Sequence, residues 1–399
     1  MKRIISYISF PNIIIVLCLM MMLPNGNIYG RQIWVSLYNS RQIRSVVVSA
    51  YNGPLTILAD DNAQYAIADG QAVYAALHDG KILLSDERGT IGSFGRFTVQ
   101  GADSSAVVRV RPVLPQVEAR NYEDMVSLTA DVDRIQLINR VDVERYIAGV
   151  VEAEAGQGNT HEFYKAEAII CRTYLYRNID RHASEGFHLC DDTHCQAYKG
   201  QCRNRNMILP AVVATKNMIV ADLKDSKPIL ATYHSNCGGE TESAQNVWQT
   251  NLPYLAPVID PYCTSSPNAR WQRTISLDNW INYLVKNGFK PNPNILTDFS
   301  FQQDRRTSTY KVNNFTTPVR QIRSDWQLKS TFFSIAVEEG NVVFRGRGYG
   351  HGVGLCQEGA MEMGRRGFRY DEIINFYYKN IKIVSVTTIP VAAPEFDRE

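Results

Sequence analysis

Residues 142–176, DVERYIAGVVEAEAGQGNTHEFYKAEAIICRTYLY, constrain this chain more than any other stretch, because two helical periodicities stand back to back there. Val143, Tyr146, Ile147, Val150 and Val151 follow the i, i+3, i+4, i+7, i+8 spacing of one buried helix face. At about 100° per residue Glu154 falls on that same stripe, whereas Glu152 points the other way, toward solvent. A carboxylate on an apolar face is costly to ionise, so its pKa rises, and a raised-pKa glutamate is what a general acid requires. The competing reading is an ion pair with a buried arginine, for which Arg172 on the second helix is available. Asp142 is placed to cap the first helix, glycines 156 and 158 to end it, and Asn159 with Glu162 to form a capping box for the second. Phe163, Ala166, Ile170 and Tyr174 give that second helix its own apolar stripe, so the two helices pack together with Glu154 close to the turn.

A length of 399 residues accommodates two domains, or one with a large accessory part. Forty-two basic against forty acidic residues leave a net charge of +2, which gives no electrostatic case for nucleic acid as a partner. Met1-Lys2-Arg3 followed by an uncharged apolar run at 13–23 reads as a secretory signal with cleavage between 26 and 30; a retained N-terminal anchor is the rival. Either places the body of the chain outside the cytoplasm. Cys18 follows the bulky Leu17 and is not read as a lipidation site. The other seven of the eight cysteines are an odd number, so they cannot all pair within the chain.

From 31 to about 141, short β-branched runs such as SVVVSAY, LTILAD, KILLSD and AVVRVRP alternate with turns such as Asn52-Gly53 and Asp79-Gly80. The fold expected is α+β: a β-rich N-terminal part followed by a mixed α/β part. Its expected divisions are a signal or anchor over 1–30, the β-rich region over 31–135, the mixed α/β part over 136–385 and a tail over 386–399. Residues 265–325 are polar and poor in motifs, with one helix expected near LDNWINYLVKNG. FFSIAV and NVVFRG read as strands leading into a glycine-rich segment and two C-terminal helices.

Three constellations carry chemistry. In HASEGFHLCDDTHCQAYKGQC, His182, His188, Cys190, His194 and Cys195 supply the thiolates and imidazoles of a closed tetrahedral zinc site; a local disulfide with incidental histidines is the alternative. No HExxH accompanies them, so a metal here is structural rather than hydrolytic. In YHSNCGGETESAQNVW, His234 and Ser235 stand before a Gly238-Gly239 turn, with Trp248 following; polar groups backed by aromatics suit carbohydrate recognition. In RGRGYGHGVGLCQEGA, glycines 346, 348, 350, 352 and 354 alternate strictly. Extended, that segment presents one face of bare backbone, open to close approach by a polymer, and one bearing Arg347, Tyr349, His351 and Val353.

Taken together, RYIAGVVEAEA, KAEAIICRTYLY, HCQAYKG, YHSNCGGETESAQNVW and GRGYGHGVGLCQEGAMEMG resemble, in order, the blocks of the stage II sporulation protein D family, which includes amidase enhancers. The resemblance implies that residues 136–385 are a catalytic domain with a glycan-binding cleft, a lytic transglycosylase that cleaves peptidoglycan between N-acetylmuramic acid and N-acetylglucosamine, leaving a 1,6-anhydro end, with denuded glycan strands as substrate. It places the catalytic glutamate at Glu154, with Ala155 where the family usually has methionine. It also implies a zinc at Cys190, His194 and Cys195, completed by His182 or His188. Candidates to bind substrate are Arg172, Tyr198, His234, Ser235, Tyr349, His351 and Gln357. Two readings from other classes stand beside it: a non-catalytic glycan binder that activates a peptidoglycan amidase, and a zinc amidase or peptidase built on the cysteine/histidine loop.

Overall fold

The structure is a computed structural model and describes residues 32–103, 105–294 and 297–388; the signal and most of the C-terminal tail expected from the sequence lie outside them. Among the described residues no helix is long and apolar enough to cross a membrane. The fold is α+β. The N-terminal part is two sheets, antiparallel except at the edge strand 189–190, whose alternating inward residues, Val46, Val48, Ile57, Val99, Val108 and Leu137 among them, share one core. One sheet of seven strands runs in the order 189–190, 32–37, 135–142, 125–130, 96–101, 55–59, 64–67; the other has six strands drawn from 45–122. The expected turns form where predicted, with Asn52 and Asp79 both at positive φ and each followed by a positive-φ glycine.

Two pairings of the first strand position the site. Gln32–Leu37 lies antiparallel to Ile135–Asp142, the strand that runs straight into the first helix. Its other edge pairs in parallel with Leu189–Cys190, which pins the cysteine/histidine loop to the sheet. Helix α1, Val143–Ala155, starts where the Asp142 carboxylate accepts the N–H groups of Glu144 and Arg145, and stops at Gly156, φ 68°. Helix α2, His161–Arg177, is capped by Thr160 rather than Asn159: the Thr160 hydroxyl accepts from Phe163 N–H, while Asn159 donates back to the Ala155 carbonyl. α2 is packed by α1, by α3 (Arg205–Ala214) and by the C-terminal helices Gln357–Arg365 and Tyr370–Tyr377.

Residues 270–347 build a smaller unit with a core of its own. A three-stranded sheet, 270–276, 341–347 and 333–338, and the helix Leu277–Lys286 surround Trp280, which is fully buried against Tyr310, Trp326 and Phe344. The glycine-rich segment leaves this unit and returns to the main core, where Leu355–Cys356 pairs in parallel with Tyr233–His234.

Candidate functional site

The last turn of α1 brings Glu154 to the wall of a cleft of about 590 Å³ lined also by Tyr174, Arg181, His194, Cys195, Thr232, Tyr233, Trp248 and His351. Glu154 is half-buried. The Ala197 N–H donates to its Oε1 at 2.7 Å. Burial pushes the Glu154 carboxyl above its ordinary value, and the hydrogen bonds from Ala197 N–H and the Tyr233 hydroxyl, with the Lys199 charge, oppose that rise without cancelling it. Among the described residues lining the cleft, Glu154 is the only carboxylate. Trp248 is 40% exposed, leaving an aromatic face free for a ligand.

Glu152 does not face solvent as helix geometry suggested. Its carboxylate accepts the N–H groups of Arg203 and Asn204, both at 2.8 Å, and so anchors the approach to α3. The turn after the cysteine/histidine loop folds back over α1, and that long-range contact is invisible to a helical wheel.

The cysteine/histidine loop gathers His182, Cys190, His194 and Cys195, with donor atoms all within 4.8 Å of one another. Cys195 Sγ lies 3.4 Å from His182 Nε2, and Cys190 Sγ lies 3.6 Å from His194 Nδ1. His182 Nδ1 meets Glu185 Oε1 at 2.5 Å, the outer carboxylate that turns a ligating imidazole's other nitrogen toward a metal. Two thiolates and two imidazoles at this separation fit a tetrahedral zinc. His188 stands apart: its Nδ1 accepts the Trp34 N–H at 2.8 Å and its ring stacks on Trp34.

The residues singled out for substrate binding divide. His351 lines the cleft, and its Nδ1 accepts the Val353 N–H at 3.0 Å; burial holds its pKa down to about 4, with the Tyr233 backbone opposing that fall. His234 packs behind it, its ring centroid 5.4 Å from that of His351, with Nδ1 on the Val353 carbonyl. Ser235 gives its carbonyl to the Glu358 N–H. Tyr349 is 45% exposed but outside the cleft lining.

Three of them sit in the core. Arg172 has no exposure; it pairs with Glu144 at 2.5 Å and donates to the Met218 carbonyl, so it touches neither Glu154 nor the cleft. Tyr198 is buried against Tyr146, and its hydroxyl donates to Asn139 Oδ1. Gln357 is buried and donates to Glu167 Oε1 at 2.9 Å. Motif membership marked these three; the structure packs each of them in the core, outside the cleft lining.

The glycine segment departs from expectation. Glycines 348, 350, 352 and 354 all have positive φ, so the segment is not extended. Its bare positions face this chain's own interior: a Cβ at Gly354 would lie 2.1 Å from the Thr232 carbonyl oxygen, at Gly350 2.8 Å from the His234 side chain, and at Gly346 1.9 Å from the Trp271 ring. The close approach that alternating glycines permit is made by residues 232–238, Trp271 and Arg306 rather than by a ligand.

Two further residues were missed from the sequence. Tyr233 reaches Glu154 from the neighbouring strand, a contact with no local signal. Glu167 lies on α2, fully buried, and its carboxyl is pushed up to about 7 by burial, with the charge of Glu154 adding to the rise and the Gln357 hydrogen bond opposing it. Its signal was present: Glu167 stands at i+4 from Phe163 on an apolar stripe, the pattern that selected Glu154.

Comparison with known proteins agrees with these motifs. The family model described as Stage II sporulation protein matches residues 131–221, from the strand before α1 through the cysteine/histidine loop to the strand Met218–Asp222. An uncharacterized protein of Brachyspira hyodysenteriae is 31% identical over 266 residues, 64% of this chain and 70% of that one. Stage II sporulation protein D of Bacillus subtilis is 29% identical over 62% of this chain and 76% of its own length. The amidase enhancer of Bacillus subtilis is 25% identical over 60% of this chain and 40% of its own.

Proposed function

Since this chain belongs to the stage II sporulation protein D and amidase-enhancer family, with a role at peptidoglycan, we propose that it is a lytic transglycosylase of the cell envelope, with Glu154 as its single acid and base. The observation that carries this reading is a lone, half-buried carboxyl, raised in pKa, on the wall of a cleft with an exposed tryptophan face.

Protonated Glu154 donates to the glycosidic oxygen as the C1–O bond of N-acetylmuramic acid breaks through an oxocarbenium-like state. The leaving N-acetylglucosamine departs with that proton on its 4-hydroxyl. The muramic 6-hydroxyl then attacks C1 and passes its own proton to the Glu154 carboxylate, closing the 1,6-anhydro ring and restoring the acid. Water is not a reactant, so no second carboxylate is needed to activate it, in contrast to the paired carboxylates of ordinary glycoside hydrolysis. The Ala197 N–H fixes Oε1 as the accepting oxygen and leaves the other to carry the proton. Trp248 supplies a face on which a sugar ring stacks. His182, Cys190, His194 and Cys195 would hold a metal, which would supply structural cross-linking to the loop whose Ala197 N–H meets Glu154.

Incubating the full chain with purified denuded glycan strands and weighing the products tests this: 1,6-anhydro ends are expected, and reducing ends or unchanged strands would refute it. The amidase-enhancer relative motivates a second reading, a glycan binder that activates a peptidoglycan amidase without cleaving strands itself. Unchanged strands, together with faster amidase turnover when the protein is added, would select that reading.

A further inference from the structure

Three cysteines outside the loop already described, far apart in sequence, meet in the core with one aspartate. Cys237 follows the strand Tyr233–His234, Asp260 and Cys263 lie on the loop beyond Leu255, and Cys356 immediately precedes the helix Gln357–Arg365. All four are fully buried. Their donor atoms lie within 4.8 Å of one another, with Cys237 Sγ 3.4 Å from Cys263 Sγ and 3.2 Å from Asp260 Oδ2. From this geometry we propose that Cys237, Asp260, Cys263 and Cys356 bind one structural zinc ion, a second metal centre distinct from that of the cysteine/histidine loop.

Zinc–sulfur bonds of about 2.3 Å put the sulfurs of a tetrahedral site roughly 3.8 Å apart, close to the spacing here. Three soft thiolates select zinc over magnesium or calcium, and one carboxylate completes a four-ligand shell. A disulfide between two of the cysteines would leave the third, and the aspartate, without a role. The surroundings already hold each ligand in place, as an outer shell does. The Tyr377 hydroxyl and the Tyr262 N–H donate to the Asp260 carboxylate, and the Cys237 N–H donates to Cys356 Sγ at 3.2 Å. The Arg306 guanidinium donates to the Cys237 carbonyl at 2.7 Å, bringing positive charge beside a cluster of anionic ligands. Gly359 supplies an independent sign of a built site. A Cβ there would come within 2.4 Å of Asp260 Oδ2, so the helix Gln357–Arg365 can seat the carboxylate only because that position is bare. The ion would tie three segments into one floor beneath His234 and the glycine-rich segment.

The test does not depend on glycan cleavage. In the full chain purified without chelator, elemental analysis should find about two zinc ions, one per cluster, and Cys263→Ser should lose about one of them and melt at a lower temperature. The double variant Cys190→Ser/Cys195→Ser should lose the other ion and keep this one. Alkylation and peptide mapping of the unaltered protein should find Cys237, Cys263 and Cys356 all as thiols. A disulfide joining any two of the three, or a zinc content unchanged by Cys263→Ser, overturns the proposal. If Cys263→Ser does not fold, Asp260→Asn, which keeps the side chain's shape, is read by the same criteria.

Discussion

The backbone N–H of Ala197 donates to Oε1 of Glu154 at 2.7 Å, so a residue two positions beyond Cys195 grips the carboxyl at the end of α1. Glu154→Gln keeps that hydrogen bond and the side chain's shape while removing the transferable proton. Glycan cleavage should fall by about 10²–10⁴-fold, the usual worth of a positioned acid. Binding of glycan and the melting curve should stay near those of the unaltered protein. Full activity in a folded Glu154→Gln protein would exclude Glu154 as the acid. Glu152→Gln is not a neutral control, because Glu152 accepts two backbone N–H groups.

On the proposed mechanism Glu154 must be protonated to act first as an acid, so cleavage should decline as pH rises through its pKa. Burial sets that decline above the range of an ordinary glutamate. A pH–rate profile whose basic limb lies no higher than that of an exposed glutamate would contradict the environment described for Glu154.

Removing metal from the cysteine/histidine cluster should lower the melting temperature and cleavage together, since Cys195 and Ala197 are neighbours on one loop. A chelator that strips the metal, as elemental analysis would show, but leaves both unchanged would mean the loop holds Ala197 in place unaided. A chelator that abolishes activity while leaving the melting curve untouched would instead favour a metal that takes part in chemistry.

Glu167 gives a stability effect with a definite sign. Its folded pKa is near 7 against an ordinary 4.5, so between these values the folded state holds a proton that the unfolded chain has released. The stability this contributes is fully present below about pH 4.5 and is lost as pH rises through about 7, a swing on the order of 3 kcal/mol. Glu167→Gln removes the titration while keeping a partner for Gln357. Its unfolding free energy should therefore be flatter from pH 5 to about 8 than that of the unaltered protein. Parallel curves for the two proteins would show that Glu167 does not titrate in this window.

How much of this was legible in the sequence depended on distance along the chain. The strands of the sandwich and the two helices of 143–177 were readable because their apolar spacing and caps are local. The strands Gln64–Ile67 and Gly89–Phe94 were not, since each is mostly exposed or half-buried and shows little alternation. Glu154 was found because its burial follows from helical phase alone. The Cys237, Asp260, Cys263 and Cys356 cluster could not be, because it forms only when the strand Tyr233–His234 pairs with Leu355–Cys356, more than a hundred residues away. The helix that carries Trp280 was legible, but the core around it was not, because its other aromatics are spread over short strands and loops as far away as Phe344.

The glycine-rich segment shows the same limit and yields the last prediction. Its alternation was plain, but which neighbour would fill the bare face was a question of tertiary structure, and the answer is the chain itself. Gly354→Ala places a Cβ against the Thr232 carbonyl at a residue with φ of 75°. The left-handed backbone alone costs an alanine roughly 1–2 kcal/mol, and the contact with backbone adds to it, so the melting temperature should drop clearly. Any loss of cleavage should track the fraction unfolded. His351→Ala should behave in the opposite way. His351 interacts with the Tyr233 backbone and lies beside Trp248, with ring centroids 5.2 Å apart. Its loss should therefore loosen the hydroxyl that meets Glu154 and lower kcat by about 10-fold or more, with a smaller change in the melting curve. If folded His351→Ala protein cleaves glycan at the full rate, Tyr233 keeps its place without the histidine; if folded Gly354→Ala loses cleavage at an unchanged melting temperature, the bare face serves substrate after all.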